Sequence, residues 1–178
     1  MTIIELVVTL IVVGVVITLS VAPTIRGSLA RHRVQGVQAE LLGDLQLARS
    51  EQAQRSGNST AVSVSFGSNA DMTCYTIHTA EGAACDCTRA LLDACALAAP
   101  SQEIKTMQFP RAVGVGVAAS SPAGSRITFN PPQGLVTPAD VVIDVQDPIS
   151  GQLRTSVSGL GVPSVCSPDG SIPGVRTC

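Results

Sequence analysis

Three kinds of residue in this 178-residue chain carry potential chemistry: six cysteines, two histidines, and one glutamate lodged in an apolar segment. Cysteine beside histidine raises a metal site first. Its material is Cys85-Asp86-Cys87, or Cys74 with His78, which lie four apart and so share one face of a strand. Zinc sites draw on paired C-x2–4-C sets. A single C-x-C with one histidine falls short of that, and no metal is expected. A dithiol redox centre uses C-x-x-C, a spacing that does not occur here. Six cysteines in a chain of this size read instead as disulfides made in an oxidising compartment. Catalytic patterns such as G-x-S-x-G, H-E-x-x-H or a phosphate-binding loop do not occur. His32 stands between two arginines and reads as solvated, and His78 reads as a strand-surface residue. Gly114 and Gly116 have no phosphate-binding helix after them and read as close-packing positions. Neither enzyme activity nor a cofactor is expected.

Composition narrows the class further. Lys+Arg is 11 and Asp+Glu is 13, a net charge of −2, and only 13% of residues are charged while 45% are hydrophobic. That is too apolar for a disordered tail and has no positive field to draw in nucleic acid. After residue 55 there are six basic against nine acidic side chains, a net charge of −3.

The glutamate needs an element to hold it. Residues 6–22 run for seventeen positions without a charge. With residues 1–4 this makes an apolar segment of about 22 residues, long enough to cross a hydrocarbon core. Glu5 is the one charge in it. A secretory signal peptide needs a positive start, yet no Lys or Arg precedes Arg26. A plain membrane anchor leaves Glu5 unexplained, since a carboxylate inside a span costs roughly 2.5–3.5 kcal/mol. Beyond Pro23 the pattern stays helical, with Ile25, Leu29, Val34, Val37, Leu41, Leu45 and Ala48 on one stripe. Arg26, Arg31, Arg33, Glu40, Asp44, Arg49 and Glu51 take mostly other directions. A bend is expected at Pro23 and a stop at Ser56-Gly57-Asn58. One helix on the order of 80 Å long results, with its apolar half protruding from the domain that its amphipathic half packs on.

After the helix the period changes to two. Alternating segments occupy 61–66, 74–79, 104–109, 113–117, 126–130, 141–145 and 153–158, with turns at 131–134 and 147–151. The fold class is therefore α+β: a long N-terminal α-helix on a C-terminal antiparallel β-sheet domain. It divides into an assembly segment (1–25), an amphipathic half-helix (26–55) and a disulfide-containing β-rich domain (56–178).

The opening Met-Thr-Ile-Ile-Glu-Leu-Val-Val resembles the mature N-terminus of type IV pilins and type II secretion pseudopilins, with Thr2, Glu5, Leu6 and Gly14 matching position by position. The stretch Glu40–Glu51, the Gly-Asn-Ser-Thr-Ala-Val-Ser-Val strand, the Ile127–Gly134 turn and the Cys166–Cys178 tail are similar to FimT/GspH-type minor pilins. The resemblance covers most of the chain outside residues 81–103.

The resemblance implies a minor pilin built into a type IV pilus or pseudopilus. Met1 is then the processed, N-methylated first residue, cut and modified by a prepilin peptidase. Glu5 pairs with the first-residue amine of a neighbouring subunit. The partners are other pilins or pseudopilins through the N-terminal helix. Before assembly the chain sits in the bacterial inner membrane with its globular domain in the periplasm. It moves from there to the pilus or pseudopilus at the cell surface. The family tail implies a Cys166–Cys178 disulfide. A direct bridge between Cys85 and Cys87 is geometrically awkward, so the other four cysteines pair either as 74–85 with 87–95 or as 74–87 with 85–95. Some relatives bind DNA during natural transformation through a Gly-Arg-x-Arg stretch before the tail cysteine. Here Ser158–Cys166 contains no arginine. DNA contact would fall to Arg126, Arg154 and Arg176, and is not the favoured reading.

Overall fold

The computed structural model describes residues 2–55, 60–120 and 125–178, with side chains of the helix described outside 17–26. One helix, α1 (Ile3–Arg55), precedes nine strands: β1 (Val62–Ser68), β2 (Met72–Thr79), β3 (Glu103–Pro110), β4 (Gly116–Ser120), β5 (Arg126–Asn130), β6 (Leu135–Thr137), β7 (Val141–Asp147), β8 (Gly151–Val157) and β9 (Pro163–Cys166). They form a five-stranded sheet, β3-β2-β1-β5-β6, and a four-stranded sheet, β4-β7-β8-β9. Every strand pairing is antiparallel. The helix runs unbroken in sequence through Pro23, and the expected stop at 56–58 lies outside the described residues.

The helix seats one stripe on both sheets. Ala30, Val34, Gln38, Leu41, Leu45, Ala48 and Gln52 are buried at spacings of three and four, the repeat of a single helix face. Two expectations are corrected here. Leu29 is 52% exposed, and its neighbour Ala30 takes the buried position. Asp44, expected to point away, lies on the buried face, because strands far along the chain supply its partners.

Period-two alternation sorts the first sheet into two faces. Val62, Val64 and Phe66 enter the core with Tyr75, Ile77 and Phe109. All four aromatic residues are buried, and Tyr75 sits between Phe66 and Phe109 at centroid distances of 5.7 and 5.9 Å. The opposite face carries Ser63, Ser65, Cys74, Thr76 and His78, and it too is buried. Residues 80–102 fold over it: Cys74 is bonded to Cys87, and Gln108 Nε2 donates to the carbonyls of Cys87 and Arg89 at 2.9 and 2.6 Å. His78 is therefore fully buried, not a surface residue as expected. Its Nε2 lies 2.8 Å from Ser65 Oγ and its Nδ1 2.8 Å from Thr79 O. Burial holds its pKa below the ordinary value, with the Thr79 carbonyl working the other way.

Two further differences are local. The segment expected as a strand at 113–117 begins as a 3-10 turn, Arg111–Val113, closed by Gly114 at φ 89°, so β4 starts only at Gly116. Gly134 takes φ 67° in the Pro-Pro-Gln-Gly turn and donates its N–H to Asn130 O. The return short strand β6 pairs there with β5.

Candidate functional site

Two surfaces matter: the free half of α1 and the mount that holds the other half. Every side chain from Thr2 to Val16 is exposed, including Ile3, Ile4, Leu6, Val8, Leu10, Ile11 and Val13. Glu5 lies in the first turn of the helix, where the backbone N–H groups and the helix dipole favour a negative charge. The next turn of the helix sets Val8 and Thr9 beside it. Contiguous apolar surface above a few hundred Å² marks an interaction face. Among the described residues no helix is long and apolar enough to cross a membrane.

The mount is built from polar groups set into an apolar face. Tyr75 Oη donates to Asp44 Oδ2 at 2.7 Å, and Lys105 Nζ donates to Asp44 Oδ1 at 2.7 Å. Lys105 also lies 3.6 Å from Glu40. Burial first, then the Asp44 carboxylate, pushes the Tyr75 hydroxyl far above the usual phenol range. Burial works against the Lys105 charge, but Asp44 and Glu40 outweigh it and raise its pKa. On the other side Gln38 Nε2 donates to Thr155 Oγ1 of β8, and Arg33 Nη1 donates to Val113 O. The helix is thus bonded to both sheets, and its free end is apolar. Reading the sequence missed Asp44, Tyr75 and Lys105 as a unit. The available signal was the acid at 44, one place from Leu45 within the apolar stripe.

The cysteines close three bridges: Cys74–Cys87, Cys85–Cys95 and Cys166–Cys178. Of the two pairings left open for the first four, the structure contains 74–87 with 85–95. His78 lies with Cys85 and Cys95, their ligand atoms within 4.8 Å of one another. The two sulfurs are bonded to each other, so neither is the thiolate a metal would need.

The three arginines considered for DNA lie on separate segments. Arg126 is on β5 and donates to Ser63 Oγ at 3.1 Å, with burial lowering its pKa. Arg154 is on β8 in the other sheet, and Asp144 matches its charge through bonds of 2.8 and 3.0 Å. Arg176 is exposed in the tail, its carbonyl accepting the Ser167 N–H. Only Arg154 and Arg176 belong to neighbouring segments, through the Arg154–Cys166 register of β8 and β9.

Compared with protein families, residues 38–161 match the model described as type II transport protein GspH. The chain belongs to the GspH family. The matched span starts on the mounted half of α1 and runs through every strand up to β8. It therefore covers the Asp44 mount and the disulfide loop, and stops short of the exposed half-helix and the tail bridge. The family is one of type IV pilin-like and pseudopilin-like proteins. No curated protein and no solved structure matches the chain.

Proposed function

We propose that this GspH-family chain is a minor pseudopilin of a type II secretion apparatus, inserted into its filament through the N-terminal half of α1. The observation that carries this reading is the run of exposed apolar side chains from Ile3 to Val16, interrupted only by Glu5 and two threonine-or-glycine positions. A soluble subunit gains nothing from that surface. A filament subunit buries it among the equivalent helices of its neighbours.

In this reading residues 1–25 hold the chain in the bacterial inner membrane before assembly, with the β-rich domain in the periplasm. The apolar sequence continues through Ala22, which extends the described run toward the roughly 20 residues a span needs. A prepilin peptidase generates and methylates Met1, which lies outside the described residues. Glu5 then pairs with the first-residue amine of a neighbour. A carboxylate left alone in an apolar bundle is costly, and pairing offsets much of that cost in one axial register. The bonds to Asp44 hold the domain on the same helix that carries Glu5, so register at Glu5 places the domain along the filament. The chain performs no reaction.

Two measurements test the role. Mass spectrometry of the first peptide should find an N-methylated Met1. Loss of the chain should stop export of type II cargo from its own cell. Export that continues while pilus-dependent motility or transformation fails would move the chain to a type IV pilus. Arg154 and its Asp144 partner favour no DNA-binding role.

A further inference from the structure

Past the apolar segment the helix carries charge of one sign only. Between Glu5 and Glu40 the charged residues are Arg26, Arg31 and Arg33, with no Asp or Glu among them. The rest of the chain holds eight basic against thirteen acidic side chains, a net charge of −5. Positive charge is therefore concentrated on one short stretch of an otherwise acidic chain. Arg31, His32 and Arg33 are all exposed. Among the described residues no carboxylate lies within ion-pair distance of Arg31 or Arg33. Arg33 donates to the Val113 carbonyl, a contact that leaves its charge unmatched. The next acid along the helix, Glu40, is about two turns on and lies 3.6 Å from Lys105. Arg111, in the turn bonded to Arg33, differs: its N–H donates to the Asp71 carbonyl, and it shares a cavity with Asp147 and Asp169.

We infer that Arg26, Arg31 and Arg33 bind the phosphates of anionic phospholipids at the membrane face on the domain side, and so fix how deep the helix sits. The inference rests on the proposed span at residues 1–25 and adds its lipid partner. Arg26 directly follows that span. Arg31 and Arg33 stand about 9 and 12 Å past Ile25 at a rise of about 1.5 Å per residue. Long helical side chains lean back toward the N-terminus, which returns both heads toward a headgroup layer roughly 5–8 Å deep. Around the axis Arg31 and Arg33 flank the buried Ala30 and Val34 on opposite sides. Lipid is thus within reach along both edges of the seated helix. Leu29 is 52% exposed and Val113, beside Arg33, is 47% exposed. They set apolar surface at the same level as the cations, the combination that suits a membrane interface. Leu29, left uncovered by the domain, gains a partner in the acyl boundary. A zwitterionic lipid brings its phosphate already paired with its own amine. An anionic lipid leaves the phosphate free for arginine, and each arginine near such a surface strengthens the hold about fivefold. Position also selects the membrane over a soluble polyanion, since the arginines begin one residue past the span.

The test uses the full-length chain, reconstituted from neutral detergent into phosphatidylcholine vesicles that contain phosphatidylglycerol as the anionic lipid. Spin-labelled tracers of the two lipids report which one the protein boundary immobilises. Phosphatidylglycerol should be held at least about fivefold more tightly, and the preference should shrink as salt rises. Combined Arg26→Gln, Arg31→Gln and Arg33→Gln should abolish it, while Arg154→Gln keeps it. Both variants should retain all six cysteines in disulfides by a free-thiol assay. Inorganic phosphate in the buffer should not compete. Equal retention of the two lipids by the natural chain overturns the inference. So does a preference that survives the triple substitution, or one that inorganic phosphate removes. In each of those cases stable insertion into plain phosphatidylcholine vesicles leaves the membrane reading standing. A chain that enters neither kind of vesicle overturns both.

Discussion

Replacing Asp44 by alanine should unfasten the helix from the first sheet. The carboxylate is almost buried, with 8% of its side chain exposed, and it accepts from Tyr75 and Lys105. The two partners do not lose equally. Tyr75 is fully buried, so its orphaned hydroxyl bears a desolvation penalty of about 1–3 kcal/mol. Lys105 is 34% exposed and can turn to Glu40 or water, so its loss is at most about 1 kcal/mol. The sum is about 1–4 kcal/mol, a fall in Tm of about 2–4 °C for each kcal/mol in a chain of this size. Lys105→Ala should cost less than about 1 kcal/mol. The chain has one tyrosine and no tryptophan, so tyrosine fluorescence and near-ultraviolet circular dichroism report this site directly. The same site sets an alkaline limit. The Tyr75 pKa is raised in the folded state, so its contribution is intact below the unfolded phenol value of about 10. It is lost as pH rises above that, by about 1.4 kcal/mol per pH unit. An Asp44→Ala variant no less stable than Lys105→Ala, or a Tyr75 hydroxyl that ionises near pH 10 with the fold intact, would refute the reasoning.

Three other outcomes follow from the geometry. His78 has a lowered folded pKa, so the unfolded chain takes up its proton first; stability should fall as pH drops below about 6.5, and His78→Gln should flatten that slope in urea titrations. Cys166→Ser should remove about 2–5 kcal/mol of stability, read as a lower Tm alongside one new titratable thiol at Cys178. Duplex DNA should bind no tighter than about 10⁻⁶ M at physiological salt, and Arg154→Ala should leave a gel-shift titration unchanged, because Asp144 already neutralises that side chain.

The N-terminal helix, the strands at 126–130 and 141–145 (the latter two residues longer in the structure) and the α+β class were legible because their signals are local. A 3.6 period, a period of two and turn residues lie within a few positions of one another. The mount was not legible, because Asp44 becomes a buried acceptor only when β2 and β3 bring Tyr75 and Lys105 across 31 and 61 positions. His78 was misplaced for a related reason. Alternation correctly sends it away from the core, but nothing local says that a loop stapled through Cys87 will cover that face. Leu29 and Ala30 exchanged roles because a stripe read from apolarity alone favours the larger side chain, whereas the close approach of α1 to the sheets takes the smaller.

Recovery of the chain in sheared filaments, from cells producing either the natural sequence or Glu5→Leu, tests the central claim most directly. The account predicts that the natural chain travels with the filaments while Glu5→Leu stays in the membrane fraction at undiminished amount. Equal recovery of both in the filament fraction would contradict it.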